Sequence, residues 1–206
     1  MTRKVRTAVL ISGRGSNLAA LIEACRDPMF PAEIALVVSN VETAEGLNVA
    51  ATAGIPSRAI SHKAFATREA FDGAIDAALA EAKIELICEA GFMRIHSDGF
   101  VRKWQGRMLN IHPSLLPSFK GIRVHQQAID AGVRISGCTV HFIVPELDSG
   151  PIIAQAAVPV LPDDTAATLQ ARILVEEHKL YPAALQAVAE GKVTLVNGKV
   201  VFSKPV

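Results

Sequence analysis

Asn110 and His112 stand two residues apart in the stretch LNIHPSLLPSFKG, and Pro113 and Pro117 follow at once. On a strand, residues i and i+2 point to the same face, so both side chains can reach one reacting atom. Asn offers a neutral N–H donor, and His donates or accepts a proton near neutral pH. Together they suit the developing oxyanion of an attacked carbonyl carbon. A polar pair at a strand end, held open by prolines, belongs at the rim of a cleft rather than in a core. Such a pair needs a third member to set the charge of the imidazole. The stretch ELDSGP supplies Asp148, between Pro145 and Gly150, on a loop between two strand patterns. A nearby carboxylate favours the protonated, donating form of an imidazole.

A second chemical signal is SGRGSN, Ser12 to Asn17, between the first strand and the first helix. Gly13 and Gly15 allow positive φ and close backbone approach, and the helix start offers free N–H groups and a positive dipole end. A phosphate on a sugar or mononucleotide-like ligand suits that place, with Arg14 as an added cation. The dinucleotide fingerprint is incomplete: its third glycine would be Leu18, and the second strand ends on Ser39-Asn40 with no acid for a ribose hydroxyl. No GK[ST] follows, which excludes a P-loop. His62, His96, His141 and His178 form no metal-ligand spacing, so no metal is expected. Neither a GxSxG motif nor a reactive cysteine context points to a covalent nucleophile.

These groups need elements to hold them. RTAVLIS, EIALVVSN, PSRAIS and IELICEAGF read as strands, with helices over SNLAALIEACRD, GLNVAATAGI and TREAFDGAIDAALAEAK between them. Continuous apolar strands alternating with helices indicate a parallel sheet covered on both faces. In the second half RMLNIHP, SGCTVHFIV and IIAQAAVPV are strands, and VHQQAIDAG is a short helix. The region from Thr165 to Gly191 is helical, and Pro182 should interrupt or bend it. KVTLVNGKVVFS is a hairpin turning on Asn197-Gly198. The expected fold is therefore α/β: a Rossmann-like open sheet, parallel in the N-terminal half and mixed in the C-terminal half, with helices on both faces. No linker or repeat divides the chain, so residues 1–206 read as one domain, with a phosphate-binding half over about 1–105 and a catalytic half over about 106–206.

A formal net charge of +1 offers no surface for nucleic acid or an anionic membrane. The longest apolar runs fall short of the roughly 20 residues that span a bilayer. The basic start runs directly into a glycine turn and reads as a first strand, not a signal peptide. Cys25, Cys88 and Cys138 are odd in number and lack CxxC spacing, which fits a reduced, cytoplasmic protein.

VLISGRGSNLAALIEA, AGFMRI, NIHPSLLPSFKG and VHFIVPELDSGPIIAQ together resemble the folate-dependent formyltransferases, over nearly the whole chain. Within that family they are most similar to the phosphoribosylglycinamide (glycinamide ribonucleotide) formyltransferases. The resemblance implies transfer of the formyl group of 10-formyltetrahydrofolate to the amine of glycinamide ribonucleotide in purine biosynthesis. A tetrahedral intermediate would form directly, without an acyl-enzyme. It also implies roles. Asn110 and His112 would stabilise the oxyanion, and Asp148 would hold His112 and help move a proton. Gly15, Ser16 and Asn17 would cradle the substrate phosphate, with Pro113 and Glu177 at the glycinamide end. Arg68, Met93, Arg94, Ile95, His96 and Asn110 would serve the folate. The segment after Leu115 resembles a mobile loop hinged near Gly121 and closing over the site. The chain departs from the family pattern at Glu89 and His96, where apolar residues are usual, and at Arg123 and Leu174. Formyltetrahydrofolate hydrolases and Met-tRNA formyltransferases look alike through the same trio. They ordinarily carry a further regulatory or tRNA-binding domain, for which this chain shows no room. A non-catalytic folate- or nucleotide-binding module would be expected to lack one of the trio. The partners implied are small molecules, and a homodimer is compatible with the sequence.

Overall fold

The computed structural model describes residues 3–203, so the outermost residues of the 1–206 span lie outside the description. The chain runs β1 (Val5–Ile11), α1 (Ser16–Cys25), β2 (Ala32–Ser39), α2 (Glu45–Thr52), β3 (Ser57–Ala59), a 3-10 turn (His62–Ala64) and α3 (Arg68–Glu81). It continues through β4 (Leu86–Glu89), α4 (Asp98–Lys103), β5 (Met108–His112), α5 (Val124–Asp130), β6 (Ile135–Phe142) and β7 (Ile152–Pro159). α6 (Ala166–Ala189) and the hairpin strands β8 (Val193–Val196) and β9 (Lys199–Phe202) complete it. Seven strands form one sheet in the order β3-β2-β1-β4-β5-β6-β7. β1 to β5 are parallel, and β6 and β7 join antiparallel. The mixed sheet expected from the apolar patterning is therefore the one observed.

Alternation along each strand divides the core into two layers. Val9, Ile11, Cys88, Leu109 and Ile111 face the layer of α1 and α6. Ala8, Leu10, Ile87 and Met108 face the opposite layer, with Phe71, Ile75 and Leu79 of α3 and Phe100 and Trp104 around α4. By the same parity Glu89, Asn110 and His112 lie on the α3 side. Thr67 caps α3 by accepting from the Ala70 N–H at 3.1 Å, a bond of the kind worth about 1 kcal/mol.

Two local expectations need revision. α4 was not evident in the sequence: at six residues it spans under two turns, too short to show an apolar period. Pro182 does not interrupt α6, which runs unbroken for 24 residues. Neighbouring Tyr181 is fully buried, and its hydroxyl donates to the carbonyls of Glu89 at 2.9 Å and Leu109 at 3.2 Å. Tertiary packing of this kind outweighs the one helical hydrogen bond that a proline removes.

Candidate active site

After β3 the chain crosses back, placing β4 on the other side of β1, so the C-terminal ends of β1 and β4 diverge into a crevice. In open α/β sheets ligands bind at such a switch point. Here a cleft of about 740 Å³ opens there. The turn after β1, the segment 89–96 after β4, the end of β5, and the loops near 121–125 and 143–148 line it, together with Gln170, Leu174 and Glu177 of α6.

Asn110 and His112 reach this cleft from one face of β5, and β6 pairs beside them with His141 opposite Asn110. The His141 Nδ1–H donates to the Phe142 carbonyl at 2.9 Å, which leaves Nε2 to accept from the Asn110 amide at 3.2 Å. Burial pushes the His141 pKa down, so its ring is a neutral acceptor that orients Asn110. One Asn110 N–H is spent on this bond and the other is left for a ligand. His112 is buried, and its Nε2–H donates to the Phe119 carbonyl at 2.9 Å. Its Nδ1 looks across to Asp148 Oδ1 at 3.6 Å, within ion-pair range but too long for a hydrogen bond. Asp148 sits at φ +47°, an uncommon conformation for a residue with a Cβ, and its other oxygen accepts the Gly121 N–H at 2.8 Å. That bond ties the loop after β6 to the loop after β5. The exit from β5 is fixed as well: Thr139 Oγ donates to the Ser114 carbonyl at 2.7 Å and accepts the Leu116 N–H at 3.0 Å.

At the other end of the cleft α1 begins at Gly15, with φ +80° and no side-chain cap, so its first N–H groups remain available to an anion. A Cβ on Gly15 would lie 2.7 Å from Gly46 Cα, which with the positive φ makes glycine necessary at Gly15. Ser16 and Asn17 follow in the cleft wall. Asn17 donates to Glu177 Oε2 at 2.7 Å, joining α1 to α6, while its own Oδ1 is buried with no partner. Burial pushes the Glu177 carboxyl up against the opposing effects of Asn17 and His112. His125 Nε2 is likewise buried and unpartnered beside His112, and its pKa is pushed down by burial. These orphaned atoms in a polar-ended cleft fit a ligand with its own donors and acceptors.

Met93, Arg94 and Ile95 form one wall, with Met93 and Ile95 exposed and the Met93 N–H donating to Ser12 Oγ at 2.7 Å. Pro113 lines the cleft beside His112. His96 also borders it, but both ring nitrogens are taken by acidic side chains. Arg68 opens α3, exposed, and is not part of the cleft lining. His125, His141, Gly46 and Glu89 were not singled out for the site by sequence. His141 carried one usable signal, an ionisable residue inside an otherwise apolar strand.

Residues 5–185 match the family described as formyl transferase. The trifunctional purine biosynthetic protein adenosine-3 of Homo sapiens is 55% identical over 203 residues, covering 98% of this chain and 20% of that protein. The chain thus spans about a fifth of the length of such relatives. Phosphoribosylglycinamide formyltransferase of Escherichia coli is 42% identical over 187 residues, covering 91% of this chain and 88% of that one. Among solved structures, glycinamide ribonucleotide transformylase 1 from Symbiobacterium toebii superposes with a TM-score of 0.94 at 42% identity, covering 98% of this chain and 95% of the other.

Proposed function

Because the chain belongs to the formyl transferase family, we propose that it moves the formyl group of 10-formyltetrahydrofolate to the amine of phosphoribosylglycinamide in purine biosynthesis. The observation that carries this is the facing of Asn110 and His112 on β5 with Asp148 at 3.6 Å across the cleft from His112. The uncapped α1 terminus, about Gly15, Ser16 and Asn17, is suited to the substrate phosphate, and Glu177 with Pro113 to the glycinamide end. Met93, Arg94, Ile95 and the strand end at Asn110 border the space for the folate.

In this reading the amine nitrogen bonds to the formyl carbon and the carbonyl electrons move onto oxygen. The free Asn110 N–H meets that oxyanion, joined by the His112 Nε2–H once it leaves the Phe119 carbonyl, and fixed donors of this type act most strongly where charge develops. Asp148 stands beside the imidazole and relays the amine proton, through water, to the folate nitrogen as the carbon–nitrogen bond to the folate breaks. Thr139 and Asp148 fix the loop on either side of His112, so the imidazole does not wander from the reacting atom. Both substrates are small molecules. The reading places the protein in the cytoplasm, and among the described residues no helix is long and apolar enough to cross a membrane.

The test is a product assay with 10-formyltetrahydrofolate, run with and without phosphoribosylglycinamide. Tetrahydrofolate formed only with the ribonucleotide, in step with formylated ribonucleotide, is the expected result. Formate released equally in both tubes would replace the transferase with a hydrolase.

A further inference from the structure

Glu89 and His96, two ionisable residues buried beside the cleft, touch each other. His96 Nδ1 lies 2.7 Å from Asp72 Oδ1 and Nε2 lies 2.8 Å from Glu89 Oε1, and all three side chains are buried. The ring is stacked between Phe92 and Phe100, at centroid distances of 5.2 and 4.4 Å. The Ser97 N–H occupies the second oxygen of Asp72 at 2.6 Å. Every polar atom of Asp72 and His96 is thereby used. Glu89 is different: its Oε2 has no hydrogen-bond partner among the described residues, and it is not sealed from the cleft it borders. Glu89 ends β4 directly opposite Asn110, on the same side of the sheet. An apolar pair would pack here without the cost of burying three ionisable groups, so the arrangement calls for a use.

Resting on the formyl-transfer reading, we propose that Glu89 is a specificity-determining residue for the co-substrate. Its free oxygen accepts hydrogen bonds from the 2-amino-pyrimidinone edge of the folate ring, while His96 and Asp72 hold the carboxylate in place as positioning residues. That edge carries an amino group beside a ring N–H, two adjacent donors that match a carboxylate. Val101 and Ile143 supply apolar cleft walls suited to a flat ring. The electrostatics agree. Burial would lower the His96 pKa, but the hydrogen bonds to Asp72 and Glu89 outweigh it and raise it to about 9, so the ring donates to both acids. Burial pushes the Glu89 carboxyl up, and His96 opposes that. The groups facing it are His96, Asp72 of α3 and Asp148 of the loop after β6, while the Tyr181 hydroxyl of α6 meets only the Glu89 main-chain carbonyl from the other face of the sheet. Folate affinity should therefore weaken on acidification at a pH above the ordinary carboxylate range.

The experiment compares the full chain with Glu89→Gln and with the double variant Glu89→Leu/His96→Leu, which replaces the polar contact by an apolar one. Two probes are titrated by calorimetry: 5-formyltetrahydrofolate and its 2-desamino-2-methyl analogue. The unaltered protein should favour the amino compound by about tenfold more than either variant does. The KM for the formyl donor should rise in the variants while the KM for the ribonucleotide stays put, and the acidic limb of donor binding should vanish. Equal discrimination in all three proteins would overturn the proposal and leave the triad a structural ion-pair chain. Should Glu89→Gln or the double variant fail to fold, Glu89→Asp, which keeps the charge and shortens its reach, decides by the same discrimination ratio. Absence of folate binding by the unaltered protein would instead overturn the formyl-transfer reading itself, and this proposal with it.

Discussion

Asp148 occupies a left-handed backbone position that Asn tolerates about as well as Asp, so Asp148→Asn removes the charge while keeping the loop. The asparagine oxygen can still accept the Gly121 N–H. The expected result is a kcat lower by on the order of 10²–10³-fold, the usual weight of a lost proton-transfer group, with both KM values little changed. Large and equal losses of affinity for both substrates would make Asp148 a loop anchor instead. His96 gives a second prediction, on stability. It keeps in the fold a proton that an ordinary histidine releases near 6.5, because Asp72 and Glu89 hold it to about 9 against burial. Its contribution is fully present below pH 6.5 and is lost as pH rises through about 9. The unfolding free energy from urea titrations should fall over that interval by an amount on the order of 3 kcal/mol, and the Glu89→Leu/His96→Leu variant should show a flatter profile. The shared face of Asn110 and His112 was legible in sequence because strand parity is local and holds whatever surrounds them. The partners of His96 were not, since Asp72 and Glu89 come from other elements and meet it only through the packing of α3 on the sheet.

At the level of elements, the turn from β1 into α1 works only because α2 comes close to it. The Gly46 N–H donates to the Gly13 carbonyl at 3.0 Å, and a Cβ on Gly46 would lie 2.5 Å from Ile11 Cδ1 and 3.2 Å from that same carbonyl. Gly46→Ala must turn the end of Ile11 aside and push the turn or α2 back by a few tenths of an ångström. Chemical denaturation should register a loss of about 1–3 kcal/mol, and the KM for the phosphate-bearing substrate should rise with the KM for the formyl donor unmoved. An unchanged ribonucleotide KM would separate the turn from substrate binding. Gly13 and Gly15 announced the turn by their spacing, whereas Gly46 is one residue of an ordinary short helix whose need for glycine arises from a neighbour far away in sequence. Pro182 illustrates the same limit. Its local rule breaks a helix, yet α6 continues through it because Tyr181 pins that turn to β4 and β5. The strands and longer helices were legible because their patterns are internal; α4 was not, being too short to have one.

For the molecule as a whole, the phosphate-binding and catalytic halves read from the sequence share an apolar cluster. One apolar cluster runs from Val9 and Leu18 through Leu109 and Val140 to Tyr181 and Val193, and β4 of the first half pairs with β5 of the second. We expect residues 1–206 to unfold as one unit, with helix signal and Trp104 fluorescence lost together in a single transition. A ligand for either end of the cleft must then stabilise everything. At about 100 times its Kd it adds about 2.7 kcal/mol, which for a chain of this size raises Tm by about 5–10 °C. Phosphoribosylglycinamide alone should therefore shift the whole melting curve, although the phosphate site proposed for it lies in the first half. Two transitions, with the ribonucleotide moving only one of them, would divide the chain into two domains and make the cleft an interface between them. A single shifted transition has a mechanistic consequence as well. Asn110 and Asp148 would then be held by the same cooperative core that holds the α1 terminus, so binding at the phosphate end helps to order the groups that meet the formyl carbon at the other.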